Sequence, residues 1–170
     1  AALCLSEPDG PAATLLAAIE AWGDEAPARF RGVFAGAWTD GDDLVVFRDH
    51  LGLAPLFHRE SADGFVAATE GKQVAAGAAI AREPDVEAVE AMFFGRFDAR
   101  GTMLRGISRF PRASTATVGP DGRVAFKRYW DPEPLLETAS ITLPEAQEHL
   151  ATLLDRAVAR LTVRGEPVHH

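Results

Sequence analysis

Cys4 is the only cysteine among the 170 residues and therefore the only thiol nucleophile the sequence offers. A thiol needs a base beside it to attack anything, and its neighbours Leu3, Leu5 and Ser6 supply none. His50 and His58 lie far along the chain and would reach it only through folding, so Cys4 reads as a buried structural thiol in a strand. Ser6-Glu7-Pro8-Asp9-Gly10 would present Asp9 to a ligand on one reading. On the other it is an ordinary turn into a helix N-terminus, where a carboxylate is favoured anyway. The five histidines show no metal-ligand spacing, and Gly101, Gly106 and Gly119 are isolated rather than gathered into a phosphate loop. The richest stretch is RDHLGLAPLFH, residues 48–58. Arg48 and Asp49 close an apolar strand, Gly52 permits positive φ, and Pro55 fixes the approach to the next strand. A charged pair at such a rim is a structural ion pair or a support for loop backbone. These four residues define a tight corner and, by themselves, no reaction.

The elements that must position this corner follow from period and punctuation. After Gly10, Pro11 precedes Leu15, Leu16, Ile19 and Trp22 at helical spacing, and Gly23 ends the pattern. A short second helix is predicted over 26–30. The period then changes: 33–38 and 44–47 are apolar and β-prone around an Asp-Gly-Asp-Asp turn, and 55–58 with 64–69 repeat the arrangement around Ala62-Asp63-Gly64. Four strands in sequence imply an antiparallel sheet. Helices are predicted at 72–79 and 86–94, the latter with Asp85 as N-cap. A further hairpin joins 115–119 to 123–130 through Pro120-Asp121-Gly122. Asp131-Pro132-Glu133-Pro134 cannot continue a central strand, so the chain divides into a first domain at 1–130, a linker at 131–141 and a last segment at 142–170. Thr142 and Glu145 have capping-box spacing. Leu150, Leu153, Leu154, Ala157, Val158 and Leu161 then form one apolar stripe, as the first helix of a new domain would.

Composition narrows the partners. Seventeen Lys and Arg against 25 Asp and Glu give a net charge of -8, with no basic run, so nucleic acid and anionic membrane are not expected partners. One cysteine excludes an internal disulfide framework and points to a reducing compartment, most simply the cytoplasm. No apolar run approaches the roughly 20 residues of a membrane span, and the first residues lack the pattern of a signal peptide.

With these pieces in order, the chain resembles the glutamine-dependent asparagine synthetase family. Trp22-Gly23, RGVFAGAWTD, RDHLGLAPLFH and FVAATEGKQVAAG follow the order of that family's Trp-Gly helix end, GMFAFALWD strand, RDRLGIKPLYY corner and FASEIKALL strand and helix. EAVEAMFFG, TMLRGISRFPRAS and RYWDPEP match its later helix, TLFRGI.KLPPG segment and RYWDP. The match runs from about residue 12 onward.

The resemblance implies an α+β fold of the N-terminal-nucleophile hydrolase type, two antiparallel sheets packed face to face with helices outside, lacking its front part and followed by the start of an ATP-dependent synthetase domain. It implies ATP and Mg²⁺ for the parent enzyme and none for this stretch. Its small-molecule partners are glutamine and aspartate; its protein partners are the synthetase half and, as in many relatives, a second copy. Family glutaminases activate a literal first-residue cysteine through its free α-amine; Cys4 has three residues before it and no Gly after it. The family's oxyanion-hole segment Asn-Gly-Glu-Ile-Tyr-Asn is missing, and such donors typically carry about 10² to 10³ in rate. The substrate-binding Ser-Asp-Thr-Glu would fall before Leu15; an ungapped register sets Pro11 and Ala13 at its acids, and only a two-residue insertion brings Asp9 to the aspartate. The expectation is therefore a glutaminase-like scaffold, inactive alone, with no catalytic, cofactor or metal residue of its own. Arg48, Asp49, Gly52 and Pro55 form a structural corner that in the family faces the synthetase half. FPRAS where LPPG is usual keeps open a degenerate branch such as β-lactam synthetases or lasso-peptide cyclases. Amidophosphoribosyltransferase shares the corner but lacks RYWDP and the helix after it. A non-catalytic packing or interaction domain is the remaining alternative.

Overall fold

The structure is a computed structural model in which residues 3–4, 10–96, 98–133 and 141–161 are described. Asp9 and residues 134–140 of the expected linker lie outside them. The chain separates into two compact units, Ala1–Asp131 and Pro132–His170.

In the first unit, β1 (Leu3–Cys4) pairs in parallel with β2 (Phe30–Arg31). Between them run α1 (Gly10–Trp22), a 3-10 turn at Gly23–Glu25 and α2 (Ala26–Arg29). The expected strands follow as β3 (Ala35–Asp40), β4 (Asp43–Arg48), β5 (Phe57–Ser61) and β6 (Gly64–Ala68). Helices α3 (Gly71–Gly77) and α4 (Val86–Phe93) come next, and Asp85 caps α4 by accepting from the Ala88 N–H at 3.0 Å. A short β7 (Ser108–Arg109) leads to the hairpin β8 (Ser114–Val118) and β9 (Val124–Arg128).

The strands from β3 to β6 do not share one sheet. One antiparallel sheet has the order β3-β4-β8-β9 and the other β6-β5-β7. The reason is the corner: between Arg48 and Phe57 the chain leaves one sheet and enters the other, while hairpin turns hold each pair together.

Three apolar clusters set the order of the layers. Phe47 of β4 and Trp38 of β3 pack with Phe30, Phe34 and, from α1, Leu15, Ala18 and Ile19. From the other face of the same sheet, Val46, Ala116 and Val124 meet Phe65 and Ala67 of β6, together with Leu56 and Phe110. Phe57, Val66 and Ala68 turn away toward Val74 and Ala75 of α3 and Ile107. The period-two alternation of each strand thus gives helix, sheet, sheet, helix within this unit. The antiparallel sheets and helices are those of an α+β protein. Gly36 is required in β3: a Cβ there would lie 2.7 Å from Cζ of its register partner Phe47.

The second unit contains α5 (Leu143–Leu161). At its start the Glu145 carboxylate accepts from both the N–H and the hydroxyl of Thr142, each at 2.8 Å, and these bonds hold the carboxyl below the usual range. Leu150, Leu153, Leu154 and Val158 of the apolar stripe are each more than half exposed.

Candidate functional site

Burial decides the roles of Arg48 and Asp49. Asp49 is 1% exposed and Arg48 8%, and charges taken that far from water must find full hydrogen-bond complements. They find them in backbone rather than in each other. The Arg48 guanidinium donates from Nε to the carbonyl of Ala54 at 2.7 Å, from Nη1 to that of Phe110 at 2.6 Å and from Nη2 to that of Gly52 at 2.5 Å. Asp49 Oδ1 accepts from the N–H groups of Leu51 and Leu53 at 3.1 and 3.0 Å, and Oδ2 from that of Ala54 at 2.7 Å. Together they satisfy both polarities of one loop.

The corner is also where distant segments meet. The Asp49 carbonyl accepts from the N–H groups of Gly52 and Ala113 at 3.1 and 2.9 Å, and the Asp49 N–H donates to Phe34 at 2.8 Å. Phe110 donates from its N–H to Leu56 at 2.9 Å, and Tyr129 from its N–H to Ala113 at 2.8 Å. The Tyr129 hydroxyl donates to the Arg48 carbonyl at 2.5 Å. Burial, then the Asp49 charge, push the Tyr129 phenol far up, so it stays a donor. Burial lowers Arg48, Asp49 opposes that, and Arg109 adds to it.

Two residues at the corner have left-handed backbone. Gly52 has φ +68°, and a Cβ there would lie 3.0 Å from Arg112 Cβ and 3.3 Å from Arg48 Cζ. Ala113 has φ +50° although it is not glycine, and it is 1% exposed. Pro55 is exposed between buried Ala54 and Leu56.

The other sequence candidates do not assemble around this point. Cys4 lies in β1 beside Arg31; its amide nitrogen is bonded to Leu3, so it has no free α-amine. The His50 ring sits edge-on to Phe34, Tyr129 and Trp130 at 5.9, 5.3 and 5.3 Å. His58 stacks on Phe65 at 5.9 Å and meets Phe110 and Phe126 at 5.5 and 5.3 Å. Its Nδ1 is buried and has no hydrogen-bond partner among the described residues, and burial, then the nearby Arg100 cation, lower its pKa. Among the described residues no group of three or more His, Cys, Asp or Glu could hold a metal ion, and no helix is long and apolar enough to cross a membrane.

Sequence reasoning missed Tyr129 and Ala113 as parts of the corner. It also missed a cavity of about 640 Å³ beside it, lined by Arg48, Arg100, Arg109, Arg112 and Arg128 with Phe126. The only signal was FPRAS, where a residue other than Gly occupies the left-handed position.

Comparison with curated proteins returns no match. A family model, the glutamine amidotransferase domain, matches residues 6–130, a span that contains the corner, both larger sheets and the RYW segment tied back to Arg48. The match covers most of the chain, and the chain belongs to the glutamine amidotransferase domain family.

Proposed function

We propose that these residues form the glutaminase-like scaffold of an ATP-dependent amide-forming enzyme of the asparagine synthetase type, of N-terminal-nucleophile hydrolase descent. In this reading the parent protein activates the carboxylate of aspartate and captures it with ammonia derived from glutamine. The observation that carries the finer assignment is the continuation past the family domain: RYWDP, a proline-bearing stretch, and then a helix opened by the Thr142–Glu145 cap.

Within the chain, Arg48, Asp49, Gly52 and Pro55 shape the surface offered to the synthetase half. The 170 residues contribute no cysteine with a free α-amine, the group that class of glutaminase uses as its base, so this stretch supports catalysis without performing it. The 170 residues contain no Gly-rich phosphate loop, which supports placing Mg²⁺-ATP in the synthetase half of the parent protein.

The degenerate branch, with amide formation retained and glutamine hydrolysis lost, is favoured by one observation. Ala113 stands at the Gly position of LPPG and keeps its left-handed φ of +50°, so the scaffold geometry persists where the family residue does not. Intact mass and N-terminal sequencing of the protein from its natural source test the proposal, followed by an assay for ATP-dependent amide formation. A chain several-fold heavier than 18.2 kDa that converts aspartate, glutamine and ATP to asparagine is expected. Amide formation without glutamine hydrolysis establishes the degenerate branch, and a protein of 18.2 kDa with neither activity overturns both.

A further inference from the structure

The arginine-lined cavity beside the corner is a departure from the charge pattern of the rest of the molecule. The chain carries a net charge of -8, and three arginines elsewhere pair with carboxylates: Arg29 with Glu25, Arg105 with Glu83 and Arg123 with Asp121. Five arginines line the cavity, and its described lining residues include no Asp or Glu. They come from separate parts of the sequence, Arg48 at the end of β4, Arg100 before Gly101, Arg109 in β7, Arg112 in the following loop and Arg128 at the end of β9. The fold gathers them; no basic run does.

Three of the five have partners. Arg48 is committed to three carbonyls, Arg109 donates from Nε to Gly101 at 3.3 Å, and Arg128 pairs with Asp131 at 2.7 Å. The guanidinium groups of Arg100 and Arg112 have no hydrogen-bond or ion-pair partner among the described residues. Solvated surface arginines are ordinary when scattered. Here like charges face one another: Arg109 acts unfavourably on Arg48, and Arg100 on His58 behind the Phe110 and Phe126 wall. An anion in the cavity would relieve that repulsion.

We propose that this cavity binds a small phosphate-bearing anion in metal-free form, gripped by the Arg100 and Arg112 forks. The arginine fork matches phosphate oxygens two at a time. A volume of about 640 Å³ falls within the range of small-molecule sites, roughly 300–1,000 Å³. Several cations around one space suit a multiply charged group better than a single carboxylate. With no Asp or Glu among the described lining residues to hold Mg²⁺, the metal competes for the ligand instead of bridging it. The proposal does not depend on the amide-forming reading.

Isothermal titration of the full chain with inorganic pyrophosphate, without metal, tests this. One saturable site is expected, weakened by excess Mg²⁺ and by salt. The Arg100→Ala/Arg112→Ala pair, exposed enough to leave the fold intact by circular dichroism, is expected to weaken it about tenfold or more, since hydrogen bonds to charged groups are individually strong. A lysine pair at the same positions keeps the charge, loses the fork and also binds more weakly; Arg82→Ala, away from the cavity, leaves the affinity unchanged. Metal-free ADP separates the two sources of the chemistry: tighter binding than pyrophosphate identifies a nucleotide, equal or weaker binding a free polyphosphate. No saturable heat at millimolar pyrophosphate overturns the proposal. So does equal affinity in the double alanine variant, an equal loss in Arg82→Ala, or saturation by an acidic peptide with no response to pyrophosphate.

Discussion

The hydroxyl of Tyr129 donates to the carbonyl of Arg48 at 2.5 Å, closing a loop of 81 residues. Because burial and the Asp49 charge keep the phenol protonated, the bond persists at every ordinary pH. Tyr129→Phe removes the donor and keeps the ring, so about 1 kcal/mol of stability should be lost. Urea unfolding checks this, with the midpoint lowered and the slope unchanged.

Asp49 holds three backbone N–H groups with two oxygens. Asp49→Ala leaves the Ala54 N–H buried without an acceptor and frees a loop that Arg48 then holds from one side only. The expected loss is about 2–4 kcal/mol, and Asp49→Asn, which keeps one acceptor, should lose less. If thermal melts of both variants overlay the parent's, the corner has no structural role.

Gly52 and Ala113 make opposite predictions from the same backbone region. Gly52→Ala places a Cβ at φ +68° and 3.0 Å from Arg112 Cβ, which should cost about 1–2 kcal/mol for the conformation alone. Ala113→Gly relieves strain at φ +50° while removing one buried methyl, worth about 0.8 kcal/mol, so stability should barely move. Ala113→Val adds branching and volume to the same buried site and should be strongly destabilising. Differential scanning calorimetry of the three variants gives the order directly.

His58 sets a pH dependence. Its pKa is lowered in the folded protein by burial and Arg100, whereas the unfolded side chain titrates near about 6.5. Below that value the unfolded chain takes up a proton that the folded one refuses, so stability is intact above it and declines as pH falls toward the folded pKa. Unfolding midpoints measured from pH 8 down to pH 5 should fall. In His58→Phe the decline should be shallower.

The hairpins and the corner were legible because turn residues carry their own geometry: Asp40-Gly41, Asp63-Gly64 and Asp121-Gly122 each sit between apolar runs. The division into two sheets came only from the family resemblance, because a strand's alternation says which face is buried and not which sheet it joins. Nothing local distinguishes β4 followed by β5 from a continuing meander. The parallel pairing of Leu3–Cys4 with Phe30–Arg31 was hidden for a related reason, since two-residue strands leave no period to read. Ala113 hides a left-handed residue behind an ordinary one. The arginine cavity was invisible because Arg48 and Arg128 lie far apart in the sequence and are brought together only through the pairing of β4, β8 and β9.

The scaffold reading rests on the claim that these residues shape a glutaminase-like domain without supplying its nucleophile. Ammonia release from glutamine by the 170-residue chain tests it most directly, measured beside Cys4→Ser. The reading predicts a rate no greater than that of buffer for both proteins. Turnover by the parent chain that Cys4→Ser abolishes would contradict it and make Cys4 the catalytic thiol.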